Sequence, residues 1–170
     1  EAGTISCAGR NEEGQTDAPA GDFQAVSAGW AHSCGLLADG SVSCWGDIAA
    51  ELGDQRFVAI DSGQDMSCGL GESGDLSCWG VGAASLTDLP ASASFVELAV
   101  GAAHVCAIDA DGFVECWGNN DADQRNAPSE PVYGLASGPG SMHSCAVAGS
   151  RPELGEALCW GLDAENQLRP

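Results

Sequence analysis

Cysteine and histidine are the residues of this sequence whose types and spacing could do chemistry. The segment HSCGLLADGSVSCWG runs from His32 to Gly46 and places Cys34 and Cys44 ten positions apart around an Ala-Asp-Gly turn. Such a group could bind a metal ion, catalyse a redox reaction or form a structural disulfide. No Cys-x-x-Cys pair occurs among the nine cysteines, which weakens the zinc-ribbon and thioredoxin-like interpretations.

The same segment recurs along the chain, which indicates a repeat protein. Four units begin at Phe23, Phe57, Phe95 and Val132, so their starts lie 34, 38 and 37 residues apart. A period of this length is typical of an array of small units, none of which can bury its apolar face alone. We predict one domain over residues 1–170, with a half repeat at 1–22 and repeats at 23–56, 57–94, 95–131 and 132–170.

Each unit predicts β-structure, with a short strand followed by two strands around a tight turn. The residue after the midpoint between the two cysteines is glycine in the first three units: Gly40, Gly74 and Gly112. A three-residue hairpin loop needs a left-handed residue at its third position, which glycine adopts at low cost. This register places the two cysteines of a unit opposite each other, within the distance that a disulfide spans.

We therefore predict cross-strand disulfides and no metal site, because a metal site would need four ligands and one unit offers two cysteines and one histidine. So many paired cysteines indicate an oxidising compartment. The predicted pairs are Cys34–Cys44, Cys68–Cys78, Cys106–Cys116 and, across a longer loop, Cys145–Cys159. Cys7 is left over; it forms an intermolecular disulfide, remains a free thiol, or pairs with a strand that this sequence lacks.

The charge of the chain excludes several kinds of partner. There are 25 acidic residues and five basic ones, all arginine, so the net charge is −20. This surface repels phosphate backbones and anionic membranes and attracts cations and basic partners. No apolar run approaches the roughly 18–20 residues that span a membrane. We expect protein partners, no nucleic acid, no membrane insertion and no cofactor.

The repeat resembles the regulator-of-chromosome-condensation type, in its cysteine-bearing bacterial form. The resemblance lies in AGWAHSC…DGSVSCWG and in the connectors CAGRNEEGQ (7–15), CWGNNDADQ (116–124) and CWGLDAENQ (159–167), where Asp163 takes an Asn position. It implies a β-propeller of four-stranded blades. Some members bind chromatin and others inhibit β-lactamases, so the resemblance implies a protein-binding scaffold.

Aromatic and histidine side chains recur at fixed repeat positions, which favours a structural role. We expect the histidines before the first cysteines to be packed and hydrogen-bonded between strands or blades, and the tryptophans after the second cysteines to be wedges between blades. The two sets are His32, His104 and His143, and Trp45, Trp79, Trp117 and Trp160. No Ser-His-Asp or Cys-His pairing is visible, so we predict that the protein is not an enzyme.

Four residues in variable loops are candidates for an interaction surface. Trp30 breaks the repeat, and exposed aromatic residues often anchor interfaces. Loops that vary on a repeated frame are where such a protein would bind. The candidate interaction residues are Trp30, Gln64, Asp65 and Met142.

The sequence leaves three functions and three architectures open. We favour an extracellular, bacterial, non-catalytic interaction scaffold that uses the face loops. The alternatives are a self-assembling fibre subunit whose half repeat docks on a neighbour, and a secreted enzyme inhibitor. The chain is a piece of a longer propeller, a small ring of four or five blades, or a subunit completed by its neighbours.

Overall fold

The fold is all-β and consists of four separate sheets. The computed structural model describes residues 3–48, 50–90, 94–149, 155–165 and 168. Each sheet has three antiparallel strands in chain order, and we call the sheets blades 1 to 4. Blade 1 contains β1 (Phe23–Ala28), β2 (His32–Leu37) and β3 (Val42–Gly46); blade 2 contains β4 (Ala59–Ser62), β5 (Ser67–Leu70) and β6 (Leu76–Trp79). Blade 3 contains β7 (Phe95–Val100), β8 (His104–Asp109) and β9 (Val114–Gly118); blade 4 contains β10 (Val132–Ala136), β11 (His143–Ala148) and β12 (Ala157–Gly161).

Each blade has one strand fewer than the resemblance implies. Four strands per blade are expected from it, and each sheet in the described ranges has three. The connector of the half repeat turns back on itself because polar side chains bond its own backbone: the Thr16 N–H donates to Asn11 Oδ1 over 2.8 Å. After blade 2 the connector forms a short 3₁₀ helix, Val81–Ser85.

The second and third strands of each blade form the predicted hairpin. Cys34 faces Cys44 in blade 1, and Gly40 takes the third loop position with a φ of 81°. Gly74 and Gly112 take the same position with φ of 84° and 92°, a conformation that favours glycine. The four predicted disulfides are present, with Cα–Cα distances of 4.0 to 4.1 Å: Cys34–Cys44, Cys68–Cys78, Cys106–Cys116 and Cys145–Cys159.

The hydrophobic core lies between the blades. Cys34 and Leu36 of β2 pack with Phe57 and Trp79 of blade 2. The same pattern repeats between blades 2 and 3 and between blades 3 and 4. The wedge role is confirmed for three tryptophans, which are buried in these contacts: Trp79, Trp117 and Trp160. The blades therefore stabilise one another, as expected for units that cannot bury their faces alone.

Hydrogen bonds join the hairpin turns of blades 1 to 3 to the blade that follows each of them. The Phe57 N–H donates to Gly40 O over 2.8 Å, and the Phe95 N–H donates to Gly74 O over 3.1 Å. The N-terminal segment uses the same bond, because the Phe23 N–H donates to Gly3 O over 3.2 Å. Residues 3–9 thus occupy, beside blade 1, the place that a third strand takes in a complete blade.

The outward face of blade 4 is less buried than the matching faces of the other blades. Cys34, Cys68 and Cys106 are each 0% exposed, because the next blade covers them. Cys145, at the same repeat position, is partly exposed, and so is Val147. No blade covers this face within the described residues.

Candidate functional site

The turns between the first and second strands of the blades form one end of the molecule, which we call the turn face. Each turn is anchored by a backbone bond from the segment after the third strand. The Asp47 N–H donates to Ala31 O over 2.9 Å, and the Leu162 N–H donates to Met142 O over the same distance. Gly82 donates in the same way to Asp65 O over 3.0 Å. These bonds hold the turn residues in fixed positions, as a binding surface requires.

Trp30 bridges the first and last blades at the turn face. Its ring lies against the blade 4 turn, since a Cβ added at Gly140 would be 3.4 Å from Trp30 Cζ3. The side chain is nevertheless 62% exposed, and Met142 in the same blade 4 turn is 38% exposed. An aromatic ring and a thioether are therefore presented to solvent on turns that touch each other.

The other two candidate residues lie on the blade 2 turn. Gln64 is half-buried and Asp65 is exposed, and Gln64 Nε2 donates to Asp65 Oδ2 over 3.1 Å. This turn adjoins the turn of blade 1, since a Cβ on Gly29 would lie 2.7 Å from Gly63 O. The structure thus places all four predicted interaction residues on the turn face, and their contact with a partner stays a prediction.

Two of the three repeat histidines link neighbouring blades, as expected. His32 Nε2 lies 2.8 Å from Ser67 Oγ of blade 2, and His104 Nε2 lies 2.8 Å from Ser144 Oγ of blade 4. Burial lowers the pKa of His32, which Asp65 and Asp47 partly oppose. His143 instead lies against Ser141 of its own turn.

A groove lined by the innermost strands contains two carboxylates that join blades. Its volume is about 430 Å³. Asp61 Oδ1 accepts a hydrogen bond from Ser27 of blade 1, and its Oδ2 accepts one from the Val100 N–H of blade 3. Glu97 accepts a bond from the Leu135 N–H of blade 4. Burial raises the pKa of Asp61, although these hydrogen bonds oppose the change.

Backbone carbonyl groups in two connectors accept hydrogen bonds from the tryptophan side chains of the blades that follow them. Trp45 Nε1 donates to Gln15 O over 2.9 Å, and Trp160 Nε1 donates to Gln124 O over 3.0 Å. Asp163 takes the Asn role as predicted, because its Oδ1 accepts the Leu168 N–H, as Asn11 accepts the Thr16 N–H. The last residue of the third connector motif, Gln167, and the loop residues 150–154 lie outside the described residues.

Comparison with known proteins identifies the repeat. Residues 23–47 match the family model for the regulator of chromosome condensation (RCC1) repeat. Residues 23–47 are therefore an RCC1-type repeat, and the other three units share its pattern. Among solved structures it resembles the ectodomain of the Arabidopsis thaliana receptor kinase ACR4, at 31% identity and a TM-score of 0.67, over 84% of this chain and 51% of that one.

Two further structures share the fold. The ectodomain of the Physcomitrella patens receptor kinase CR4 is 26% identical, with a TM-score of 0.68, over 84% of this chain and 39% of that one. Yeast RCC1 (Prp20), solved bound to Kap60, is 19% identical, with a TM-score of 0.66, over 84% and 44%. The chain therefore spans about half the length of these structures or less. No curated protein gives a significant match.

The described residues were compared with three kinds of site: metal centre, membrane span and reactive thiol. In the described ranges no three His, Cys, Asp or Glu side chains converge as metal ligands would. No helix of the described part has the length and hydropathy needed to cross a membrane. Cys7 is a free, partly exposed thiol. The inter-blade roles of Asp61 and Glu97 were not predicted, because each stands alone at its repeat position and no pattern marks it.

Proposed function

We propose that this protein is an extracellular, non-catalytic scaffold that binds a protein partner through its turn face. The observation that carries the proposal is Trp30, which is 62% exposed on a turn that backbone bonds and the Gly140 contact hold in place. A rigid aromatic side chain can bury a large area on binding at little cost in conformational entropy. Met142 adds an adaptable apolar contact beside it.

The fold and the disulfides support this proposal. RCC1-type propellers serve as binding scaffolds, and yeast RCC1 has been solved bound to the protein Kap60. Four disulfides and two ectodomain neighbours support an extracellular location. The net charge of −20 favours a partner with a basic surface around its apolar anchor.

The decisive experiment replaces Trp30 and compares the variant with a matched aromatic control. Photo-cross-linking from position 30 identifies the partner in the extracellular fluid, and calorimetry then measures its affinity. Trp30→Ala should weaken binding at least about tenfold, as expected for an interface anchor. Phe113→Ala removes another exposed ring, from the hairpin turn of blade 3, and should change the affinity less than about twofold. Equal affinities for wild type and Trp30→Ala would refute the proposal.

Self-assembly is the second candidate, and the outward face of blade 4 favours it. Cys145 and Val147 there are partly exposed, whereas their counterparts in blades 1 to 3 are buried in inter-blade contacts. A surface built to be covered promotes association. Sedimentation velocity over a range of concentrations should then show oligomers that Val147→Arg removes. A monomer at every concentration would exclude this candidate and leave the turn-face proposal untouched.

A further inference from the structure

The Trp30 ring is supported by the blade 4 turn and leaves most of its surface open to solvent. A Cβ added at Gly140 would lie 3.4 Å from Trp30 Cζ3 and 3.5 Å from Cε3, so this turn supports the benzo edge of the ring. The side chain is nevertheless 62% exposed. The face of an indole ring attracts a cation that stacks on it. A ring that the fold supports and leaves bare is therefore suited to bind a cation.

Two exposed carboxylates flank the blade 1 turn. The Asp47 N–H donates to Ala31 O over 2.9 Å, which places Asp47 beside this turn. Asp65 follows the point where the blade 2 turn meets the blade 1 turn, since a Cβ on Gly29 would lie 2.7 Å from Gly63 O. Each carboxylate therefore starts from a backbone position within two residues of a direct contact with the blade 1 turn.

The buried His32 side chain shows that these two carboxylates act on the same place. Its ring packs against Gly29, the residue before Trp30. Burial lowers the pKa of His32, and the carboxylates of Asp65 and Asp47 oppose that change. Both carboxylates therefore stabilise positive charge at a point directly beside the turn that carries Trp30.

The four turns of the turn face contain no basic residue that could compete for these carboxylates. The turns are Gly-Trp-Ala (29–31), Gly-Gln-Asp-Met (63–66), Gly-Ala-Ala (101–103) and Gly-Pro-Gly-Ser-Met (138–142). Arg10 lines a groove together with Trp30, but it forms ion pairs with Glu12 over 3.1 Å and with Glu13 over 3.7 Å. The charge beside Trp30 is therefore negative, and charge complementarity favours a positively charged occupant.

We propose that Trp30, Asp47 and Asp65 form a binding site for a guanidinium group, which an arginine side chain of the protein partner supplies. A guanidinium is planar, so it can stack on the indole ring while its N–H groups donate to carboxylates around it. The ammonium group of lysine is a strongly hydrated point charge and lacks this geometry. The inference rests on the turn-face proposal and names the chemistry of the partner residue that Trp30 contacts.

The test uses the whole protein and three probes: acetyl-Gly-Arg-Gly-amide and the same peptide with citrulline or lysine in place of arginine. Citrulline has nearly the shape of arginine but carries no charge. The indole N–H resonance of Trp30, assigned from the spectrum of Trp30→Phe, reports binding by NMR at constant ionic strength. The arginine peptide should bind at least about fivefold more tightly than the citrulline peptide, and at least about twofold more tightly than the lysine peptide.

Two matched variants locate the site. Asp65→Asn keeps the shape of the side chain and removes its charge, so it should weaken binding of the arginine peptide at least about threefold. Asp111→Asn makes the same change in the hairpin turn of blade 3, at the other end of the strands, and should change the affinity less than about 1.5-fold because solvent screens distant surface charges. Equal binding of the arginine peptide and either analogue, or of wild type and Asp65→Asn, would overturn the guanidinium site.

The combined results separate this inference from the proposal on which it rests. If Trp30→Ala weakens binding of the partner while the arginine and citrulline peptides bind equally, the turn face binds protein through apolar contacts and the guanidinium site is wrong. If Trp30→Ala leaves binding of the partner unchanged, the turn-face proposal fails, and an arginine-selective shift of the Trp30 resonance would still support a guanidinium site at this position.

Discussion

His104 Nε2 lies 2.8 Å from the hydroxyl oxygen of Ser144, which belongs to the next blade. Both residues are 0% exposed, so the contact replaces water for two polar groups in the interface between blades 3 and 4. Burial, and to a lesser degree the neighbouring His143, lowers the pKa of His104 to about 4. The imidazole is therefore neutral in the folded protein under conditions where it would begin to ionise in an unfolded chain.

The first prediction concerns stability in acid. The folded pKa of His104 lies below its ordinary value of 6.5, so its contribution is complete above pH 6.5 and is lost as the pH falls toward 4. The full loss is about 3 kcal/mol of the free energy of unfolding. Protonation of Asp61, whose pKa burial raises, acts in the opposite direction as the pH falls. Urea unfolding between pH 7 and 4 should show a shallower decline for His104→Gln than for wild type. Parallel curves would contradict the assignment.

The second prediction is that the four disulfides differ in their resistance to reduction. In the disulfides of blades 1 to 3 one cysteine is buried and only its partner is partly exposed, whereas both cysteines of the blade 4 disulfide are partly exposed. Partial reduction under native conditions, followed by alkylation and peptide mapping, should label Cys145 and Cys159 first. Simultaneous labelling of all eight cysteines would mean that global opening controls reduction.

The third prediction compares two glycines. A Cβ added at Gly69 would lie 2.5 Å from the Phe57 ring, inside the blade 2 sheet, and nothing lies within 4 Å of a Cβ added at Gly138. Gly69→Ala should therefore lower the free energy of unfolding by about 1–3 kcal/mol through overpacking. Gly138→Ala should leave it within about 0.5 kcal/mol of wild type, as is usual for surface changes. Chemical denaturation of the two variants measures both values, and a neutral Gly69→Ala would contradict the packing.

The fourth prediction concerns the connector between blades 3 and 4. Gln124 is buried, its Oε1 accepts the Ala122 N–H, and its Nε2 donates to Asn119 Oδ1. Gln124→Ala should lower the free energy of unfolding by about 1–3 kcal/mol, because it leaves the partly buried Ala122 N–H and Asn119 Oδ1 without these bonds. Gln55→Ala, at an exposed position of another connector, is the matched control and should have little effect. Thermal unfolding of both variants measures the difference. Similar melting temperatures would show that the hydrogen bonds of Gln124 add nothing to the stability of the fold.

The sequence predicts the parts of this fold that repeat. Periodicity and the turn glycines predict the hairpins, and opposed positions in the hairpins predict the disulfides, because both are local properties of a segment. The sequence predicts that His104 forms a hydrogen bond between strands or blades. It does not predict that the partner is Ser144, because the partner depends on how the blades stack. Asp61 escaped prediction because Ser27 and Ala99 hold its position in the neighbouring blades, so its role arises from the packing of three blades.

The candidate residues of the turn face were predicted because they vary between repeats. Their contacts with other blades could not be predicted. Trp30 stands out because it breaks the pattern, and the sequence therefore marks it as a candidate. Its contact with Gly140 could not be predicted, because the two residues are 110 positions apart in the chain. Contacts across the array depend on blade curvature, which no single repeat encodes.

Each disulfide joins cysteines that are only 10 or 14 positions apart, within one hairpin. Eight cysteines allow 105 pairings, and here the correct partner is in each case the next cysteine along the chain. A repeat can therefore oxidise correctly as soon as its own hairpin has been synthesised, before any later cysteine exists to compete with it. If the chain enters an oxidising compartment from its N-terminus, each hairpin can form its disulfide before the next pair of cysteines arrives. Refolding of the reduced chain should therefore produce more disulfide-scrambled isomers than synthesis does.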